Sequence, residues 1–117
     1  MSENCIFCKI AAGKVPSKMV YQDDLVAAFQ DANPLTPVHI LVVPKKHYEN
    51  ILDDIPSEVL EAMVHAVSVI VKQTGIDKTG FRLITNTGDD AGQTVHHFHI
   101  HIMGGRKLDP SAGEKRD

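Results

Sequence analysis

The chain has 117 residues, of which 43% are hydrophobic and 23% are charged, and its formal net charge is −3. These values predict one globular domain, exclude the polycationic surface typical of nucleic-acid binding, and leave no apolar run that could span a membrane. The first residues lack the basic and apolar regions of a signal peptide, so we expect a cytoplasmic protein.

The first predicted element is a short helix over residues 5–12, which Gly13 ends. It carries a Cys-x-x-Cys pair, Cys5 and Cys8. In a cytoplasmic chain this spacing favours metal binding or thiol redox chemistry over a structural disulfide. A thioredoxin-like motif would follow a strand in a βαβ unit, which the pattern does not predict here. The two cysteines are half of a zinc site, which two histidines would complete. Alternatively, the cysteines serve only as small buried apolar side chains of the short helix.

Three strands, joined by a turn and by a loop with two prolines, are predicted next. In chain order they are residues 19–21, the turn 23–24, residues 25–30, the loop 31–37 and residues 38–43. Asp31, at the start of the loop, either forms a turn or accepts hydrogen bonds from sugar hydroxyls. His39 interrupts an apolar strand, and it is either a satisfied core histidine or a group that orients a catalytic face.

The second half of the chain predicts one long helix and two further strands. The helix is predicted to begin at its N-cap Ser57 and to stop at Gly75. It is followed by a strand over 81–87, a polar loop over 88–93 and a histidine-containing strand over 97–102. The order β-β-β-α-β-β with short links predicts an antiparallel meander with one main helix on a face, an α+β fold. We expect a single domain over residues 1–106 and a polar tail over 107–117, either frayed or docked on a partner subunit.

The last strand carries histidines at every second position: His97-Phe98-His99-Ile100-His101-Ile102. Successive side chains of a strand point to opposite faces, so the three imidazoles share one face and the apolar side chains share the other. A functional histidine face competes with a solvated polar face and with a metal site. Two histidines at i and i+2 can reach one ion, but the outer pair lies roughly 13 Å apart at Cα.

The middle histidine, His99, has an imidazole on either side, which suits attack on phosphorus. A phosphohistidine-type intermediate would form, and water would cleave its labile bond while a flanking imidazole holds the phosphate oxygens or the leaving group. The loop 88–93 leads into this strand, and its glycines let backbone N–H groups approach an anion closely. Thr94 adds a hydroxyl donor, so the surroundings are consistent with phosphate recognition.

The segment QTVHHFHIHIMGGR, residues 93–106, resembles the signature of the histidine triad (HIT) family. Further matches follow in order: CIFCKI at 5–10, VYQDD at 20–24, AFQD at 28–31 and HILVVPKKH at 39–47. The Gly104-Gly105-Arg106 ending is most similar to the Hint branch, the purine nucleoside phosphoramidases. The resemblance implies a five-stranded antiparallel sheet with a main helix and a short N-terminal helix, paired as a homodimer, and a site for a purine nucleoside monophosphate.

Residue roles also follow from the resemblance. His99 would be the nucleophile, His101 would contact the phosphate, His97 would support the nucleophile, and His39 matches a further active-site histidine. The implied nucleotide-binding positions are Asp31 for the ribose, Asn86 and Thr94 near the phosphate or leaving group, Gly92, Gln93 and Val95 beside them, and Ile6, Phe7 and Phe29 around the base.

The resemblance implies one metal and no organic cofactor. Some HIT proteins with Cys-x-x-Cys hold a structural zinc ion, and their ligands match Cys5, Cys8, His47 and His97. The implied activity is hydrolysis of a purine nucleoside monophosphate joined to an amine. The competing functions are a dinucleoside polyphosphate hydrolase of the Fhit-like branch, a zinc-containing nucleotide-binding module with vestigial catalysis, and a zinc hydrolase that uses the histidine row as its metal site.

Overall fold

A computed structural model describes residues 4–110 and contains one five-stranded sheet. The strands are β1 Met19–Gln22, β2 Val26–Gln30, β3 Val38–Pro44, β4 Phe81–Ile84 and β5 Ile100–Gly104. The helices are α1 Ile6–Ala11, α2 Ser57–Thr74 and α3 Ile76–Thr79, with a 3₁₀ turn at Asp89–Ala91. Within residues 4–110, no helix combines the length and the apolar character needed to cross a membrane. The fold is therefore α+β, as predicted.

The strand order is β1-β2-β3-β5-β4, and every neighbouring pair is antiparallel. The predicted meander is therefore wrong for the second half of the sheet, because β5 inserts between β3 and β4 instead of adding to the edge. Gly104 of β5 lies opposite Val38 of β3 and Phe81 of β4. The helix α2 carries the chain over one face from β3 to the far edge, which leaves a central place for the last strand.

The helix α2 lies over β1, β2 and β3 and buries the larger of two apolar clusters. It starts after Pro56, which takes the N-cap position that was predicted for Ser57, and it ends at Gly75 as predicted, where φ is +80°. A left-handed residue at a helix end favours glycine, which has no Cβ to clash. The chain then forms α3, which the sequence pattern did not predict.

The opposite face of the sheet is covered by α1, which is one residue shorter at each end than predicted. Cys5 is its N-cap, and its sulfur accepts a hydrogen bond from the Cys8 amide. Phe7 and Cys8 pack there on side chains of β2 and β3, which include Phe29 and Leu41. The N-terminal helix thus lies on the face toward which His101 points, because His101 pairs with Leu41 across the sheet.

The predicted histidine strand is shorter than expected, since β5 begins at Ile100 and leaves His97 and His99 before it. The register would place Phe98 opposite Pro44, and proline has no N–H to donate to a ladder. The Phe98 amide instead donates to the Tyr48 carbonyl at 2.6 Å. The alternation survives this irregularity, since Phe98 lies in the α2-side core and the histidines face the other side.

Candidate active site and metal-binding cluster

A pocket of about 670 Å³ opens on the α1 face of the sheet. It is bounded by α1, by the end of β2 with the loop after it, and by residues 92–95, and it reaches His99 and His101. The nine positions expected to bind nucleotide all line it: Ile6, Phe7, Phe29, Asp31, Asn86, Gly92, Gln93, Thr94 and Val95. The fold brings these residues together, while their individual roles stay predictions.

Sequence reasoning missed several further lining residues: Ile10, Ser17, Gln30, Ala32, Asn33, Leu35 and Leu41. Two of them carried a usable signal. Leu41 lies two positions after His39 on one strand, and Ile10 lies one helical turn after Ile6, so each shares a face with a predicted site residue. The loop residues have no such periodicity, because backbone turns rather than alternation direct their side chains.

Residue His99 has its imidazole orientation fixed by its own backbone neighbourhood. Its Nδ1 lies 2.7 Å from the carbonyl oxygen of His97. A carbonyl accepts only, so Nδ1 carries the proton and donates, and Nε2 is the lone-pair nitrogen of the neutral ring. The Thr85 hydroxyl donates to the His99 carbonyl at 2.8 Å, which holds the backbone on the other side. An imidazole with this tautomer at the pocket wall suits nucleophilic attack.

The opposite tautomer is assigned to His101 by a chain of hydrogen bonds. The Leu35 amide donates to Nδ1 of His39 at 3.0 Å, which leaves the proton of a neutral His39 on Nε2. That Nε2 lies 2.9 Å from Nδ1 of His101 and donates to it. The proton of His101 is then on Nε2, so its imidazole is a hydrogen-bond donor at the pocket. His39 is therefore a hydrogen-bonded core residue that orients the His101 imidazole.

Asp31 forms a turn and also lines the pocket, while its role toward sugar hydroxyls stays a prediction. One carboxylate oxygen accepts from the Asn33 amide at 2.8 Å, which is the bond of a turn-forming aspartate. The other oxygen lies 3.4 Å from Nε2 of His39. The side chain is one fifth exposed and lines the pocket, so its remaining capacity to accept hydrogen bonds faces the cavity.

Burial keeps two of the row histidines neutral. Desolvation lowers the pKa of His101 to about 4, and the nearby imidazoles of His99 and His39 act in the same direction, while Asp31 opposes them. Desolvation also lowers the pKa of His97 to about 4, with His47 and His99 adding to the effect and the bond to the Pro44 carbonyl opposing it. His97 and His101 are therefore neutral at pH 7, and all three row histidines are buried, which rules out a solvated polar face.

The fold also assembles the predicted metal-binding cluster. Its four members are Cys5, Cys8, His47 and His97, whose possible ligand atoms all lie within 4.8 Å of one another. The Nδ1 atom of His97 lies 3.3 Å from Sγ of Cys5 and 3.4 Å from Sγ of Cys8. Nδ1 of His47 lies 3.3 Å from Sγ of Cys8. Two ligands of a tetrahedral zinc ion are separated by roughly 3.5 Å when one is sulfur and one is nitrogen. The donor set and its spacing therefore fit zinc.

The surroundings of the cluster support the same conclusion. Nε2 of His97 donates to the Pro44 carbonyl at 2.8 Å, so the lone pair is on Nδ1, the atom that faces the sulfurs. Metal-bound histidines commonly have their second nitrogen held in this way. Both cysteines are buried and neither forms a disulfide, and Sγ of Cys5 accepts a hydrogen bond from the Cys8 amide.

The rival hypothesis, one metal ion held by the histidine row, is wrong for this geometry. His97 turns toward the cysteines, and His99 bonds to a carbonyl through Nδ1. A second group of possible ligands, Asp31, His39 and His101, lies together elsewhere. Its two imidazoles are joined by a 2.9 Å hydrogen bond, which uses the nitrogens that a metal would need.

The loop 88–93 is stabilised mainly by one of the predicted nucleotide-binding residues, Gln93. Its side-chain oxygen accepts from the Gly88 amide at 2.9 Å, and its side-chain nitrogen donates to the Glu49 carbonyl at 3.0 Å and the Val95 carbonyl at 3.2 Å. Gly92 has a φ of +81° and ends the 3₁₀ turn. Gln93 thus fixes the shape of the pocket rim, in addition to lining the pocket.

Comparison with known proteins gives a consistent result. The family model described as "HIT domain" matches residues 12–108. The Escherichia coli K12 protein named purine nucleoside phosphoramidase is 42% identical, with 98% of each chain covered. A solved histidine triad protein from Clostridium difficile has a TM-score of 0.91 and 48% identity over 96% of this chain and 99% of its own. A structure described as a HIT family hydrolase from Legionella pneumophila has a TM-score of 0.89 and 38% identity over 94% and 100%.

Proposed function

Since the chain belongs to the HIT domain family, we propose that it is a hydrolase that cleaves the P–N bond between a purine nucleoside monophosphate and an amine. The observation that carries this proposal is the 2.7 Å bond from Nδ1 of His99 to the His97 carbonyl. It makes Nε2 of His99 a nucleophile at the wall of a pocket large enough for a nucleotide.

In the first step Nε2 of His99 attacks phosphorus, and the P–N bond of the substrate breaks. The leaving nitrogen, protonated from solvent, departs as an amine, and the nucleotide is bound to His99. The imidazole gains positive charge as this bond forms, and the His97 carbonyl stabilises that charge through the proton on Nδ1. Nε2–H of His101 donates to a phosphoryl oxygen throughout, because its tautomer is fixed by His39.

In the second step water attacks the same phosphorus and the bond to Nε2 of His99 breaks. The products are a nucleoside monophosphate, a proton released to solvent and the neutral His99 imidazole, so the enzyme returns to its starting state. Asp31 and the apolar side chains Ile6, Phe7 and Phe29 support the choice of a nucleoside, since one can accept from ribose hydroxyls and the others suit the faces of a purine.

We also propose zinc as a structural cofactor of Cys5, Cys8, His47 and His97. Bound zinc would neutralise the two thiolates and hold His97 in place. The groups that we propose to react in the pocket are side chains of the protein. We also propose a cytoplasmic location, where reducing conditions would keep Cys5 and Cys8 available as metal ligands.

A homodimer is the oligomeric state that we propose, and the edge strand β4 supports it. Phe81 and Leu83 are exposed on β4, on the α2 side of the sheet, because Leu83 pairs with Ile102 of the α2-side core and α2 lies over β1 to β3. Within residues 4–110, β4 pairs with β5 alone, and an apolar edge strand favours pairing with a second copy.

The test is turnover of AMP joined to an amine through a P–N bond, by wild type and by His99→Ala. We expect release of AMP by wild type and a loss of at least about a thousandfold in the variant, because the nucleophile is removed. His65→Ala, which changes an exposed histidine on α2, serves as the matched control and should retain wild-type turnover.

Two results would contradict this proposal. Equal turnover by His99→Ala and wild type would exclude the covalent step at His99. Binding of AMP by wild type without any P–N cleavage would favour a dinucleoside polyphosphate hydrolase or a nucleotide-binding module. Release of AMP from a polyphosphate-linked dinucleotide would then identify a dinucleoside polyphosphate hydrolase, and its absence a nucleotide-binding module.

A further inference from the structure

The helix α1 connects the metal-binding cluster to the pocket through only a few residues. Cys5 and Cys8 lie at the start of this six-residue helix, which is too short to be stable without tertiary contacts. The two residues between the cysteines, Ile6 and Phe7, both line the pocket. Whatever holds the two sulfurs in place therefore also holds one wall of the pocket.

The ring of Phe7 contacts imidazoles of both sites. Its centroid lies 5.0 Å from that of His99 with the planes at 88°, and 6.0 Å from that of His97 with the planes at 70°. It also packs edge-on against Phe29 at 5.5 Å. These perpendicular contacts leave the His99 ring little room to rotate about its Cβ–Cγ bond.

A second connection runs through the backbone of His97. Its Nδ1 faces the sulfurs of the cluster, while its carbonyl accepts the proton that fixes the His99 tautomer. One residue thus belongs to the cluster by its side chain and to the active site by its main chain. The Phe7 ring and the His97 carbonyl restrain the same imidazole from two directions.

We propose that Phe7 is a positioning residue through which metal loading of the Cys5–Cys8–His47–His97 cluster sets the orientation of His99. The role of the cluster then extends beyond stabilising the fold. The proposal rests on the proposed function only for its catalytic consequence, since the orientation of an imidazole is measurable without substrate.

The first experiment measures ¹⁵N chemical shifts of the His99 ring in wild type, loaded with Zn²⁺ and after removal of Zn²⁺ by a chelator. We expect one tautomer, with Nδ1 protonated, in the loaded protein and averaged tautomers in the metal-free protein. The same comparison is made for Phe7→Leu, which keeps an apolar side chain but loses the ring edge. We expect averaged tautomers in the loaded variant, and Tyr21→Leu, an aromatic-to-leucine change at β1, should behave as wild type.

The second experiment measures the Kd of AMP and the turnover of the AMP–amine substrate in the same four states. We expect removal of Zn²⁺ to weaken AMP binding and turnover of wild type by about tenfold. Substitution of residues that orient the groups of a site has effects of this size. Removal of Zn²⁺ from Phe7→Leu should have a smaller effect than this, because the contact that transmits it is already lost.

Several outcomes would overturn the inference. One is an unchanged His99 tautomer in both metal-free wild type and loaded Phe7→Leu. Another is a Zn²⁺ effect of equal size in wild type and Phe7→Leu. If metal-free wild type unfolds, the cluster only stabilises the fold and the claim about metal loading fails, while the ring shifts of loaded Phe7→Leu still decide whether Phe7 positions His99. If no substrate is cleaved by any form, the proposed function fails, while the ring shifts still decide whether Phe7 positions His99.

Discussion

Three histidines of one short row have three different hydrogen-bonding states, each set by a different partner. His97 directs Nδ1 at two sulfurs, His99 donates from Nδ1 to a carbonyl, and His101 accepts at Nδ1 from His39. The sequence predicted that these side chains share a face, because alternation is a local property. It could not predict the tautomers of His101 and His97, since the Leu35 amide and the Pro44 carbonyl that decide them are far away in the chain.

The lowered pKa of His101, about 4, makes stability depend on pH. The unfolded chain, with an ordinary histidine pKa of about 6.5, takes up a proton first as the pH falls. The stabilisation is therefore complete above pH 6.5 and is lost as the pH falls toward 4. Between pH 7.5 and 4.5, we expect the free energy of unfolding to fall by about 2.5 kcal/mol more in wild type than in His101→Gln.

Urea denaturation of wild type, His101→Gln and the surface control His65→Gln, at equal Zn²⁺ concentration, measures this difference. The control should follow the wild-type pH dependence, because His65 is exposed on α2. Parallel pH profiles for wild type and His101→Gln would contradict this prediction, because they would mean that the pKa of His101 is the same in the folded and unfolded states.

The secondary-structure elements were predicted where local pattern decides them. The period of α2, the stop at Gly75 and the strands β1 to β3 follow from residues within each element. The shortened β5 and the added α3 depend on tertiary contacts, since Pro44 interrupts the ladder opposite Phe98 and Ile76 packs into the α2-side core. The insertion of β5 between β3 and β4 is likewise invisible to periodicity, which says nothing about which strand pairs with which.

The turn after β5 offers a test at the level of elements, because Gly105 contacts the loop 31–37 that precedes β3. Its φ is +94°, and a Cβ there would lie 2.9 Å from Cβ of Pro37. We expect Gly105→Ala to lower the free energy of unfolding by at least about 2 kcal/mol, through backbone strain and displacement of Pro37. AMP binding should weaken as well, because the same loop holds Asp31 and Leu35.

Gly13→Ala is the matched control, since its φ is +76° and nothing lies within 4 Å of an added Cβ. It should cost only the backbone strain, about 1 kcal/mol. Thermal and urea unfolding of both variants give the comparison. Equal losses in the two variants would mean that the Pro37 contact has no energetic weight.

At the scale of the molecule, one face of the sheet forms the main apolar core and the other carries the candidate sites. The α2 face carries the larger apolar cluster, and the α1 face carries the pocket and the metal-binding cluster. The expected tail begins beside this second face, where Arg82 donates to the Asp109 carbonyl at 2.9 Å. The part of the predicted tail after residue 110 lies outside the described residues.

The proposed dimer makes a prediction for the edge strand β4. Leu83→Lys should convert the dimer into a monomer, because it places a charge on an apolar edge that pairs with its copy. Sedimentation equilibrium gives the mass directly. Leu52→Lys, at a position 80% exposed in the loop before α2, is the matched control and should remain dimeric. A monomeric wild type, or a dimeric Leu83→Lys, would contradict the arrangement.

The central place of β5 has a consequence for the way the chain reaches its native state. Among the strands of residues 4–110, β5 is synthesised last, and β4 has no strand partner among them until β5 arrives. The contacts of Cys5 and Cys8 with His97 likewise span 92 and 89 residues. Such separations make loop closure costly and folding slow. The nascent chain can therefore pair β1, β2 and β3 early, whereas the complete sheet and both histidine sites assemble only after β5 has been made.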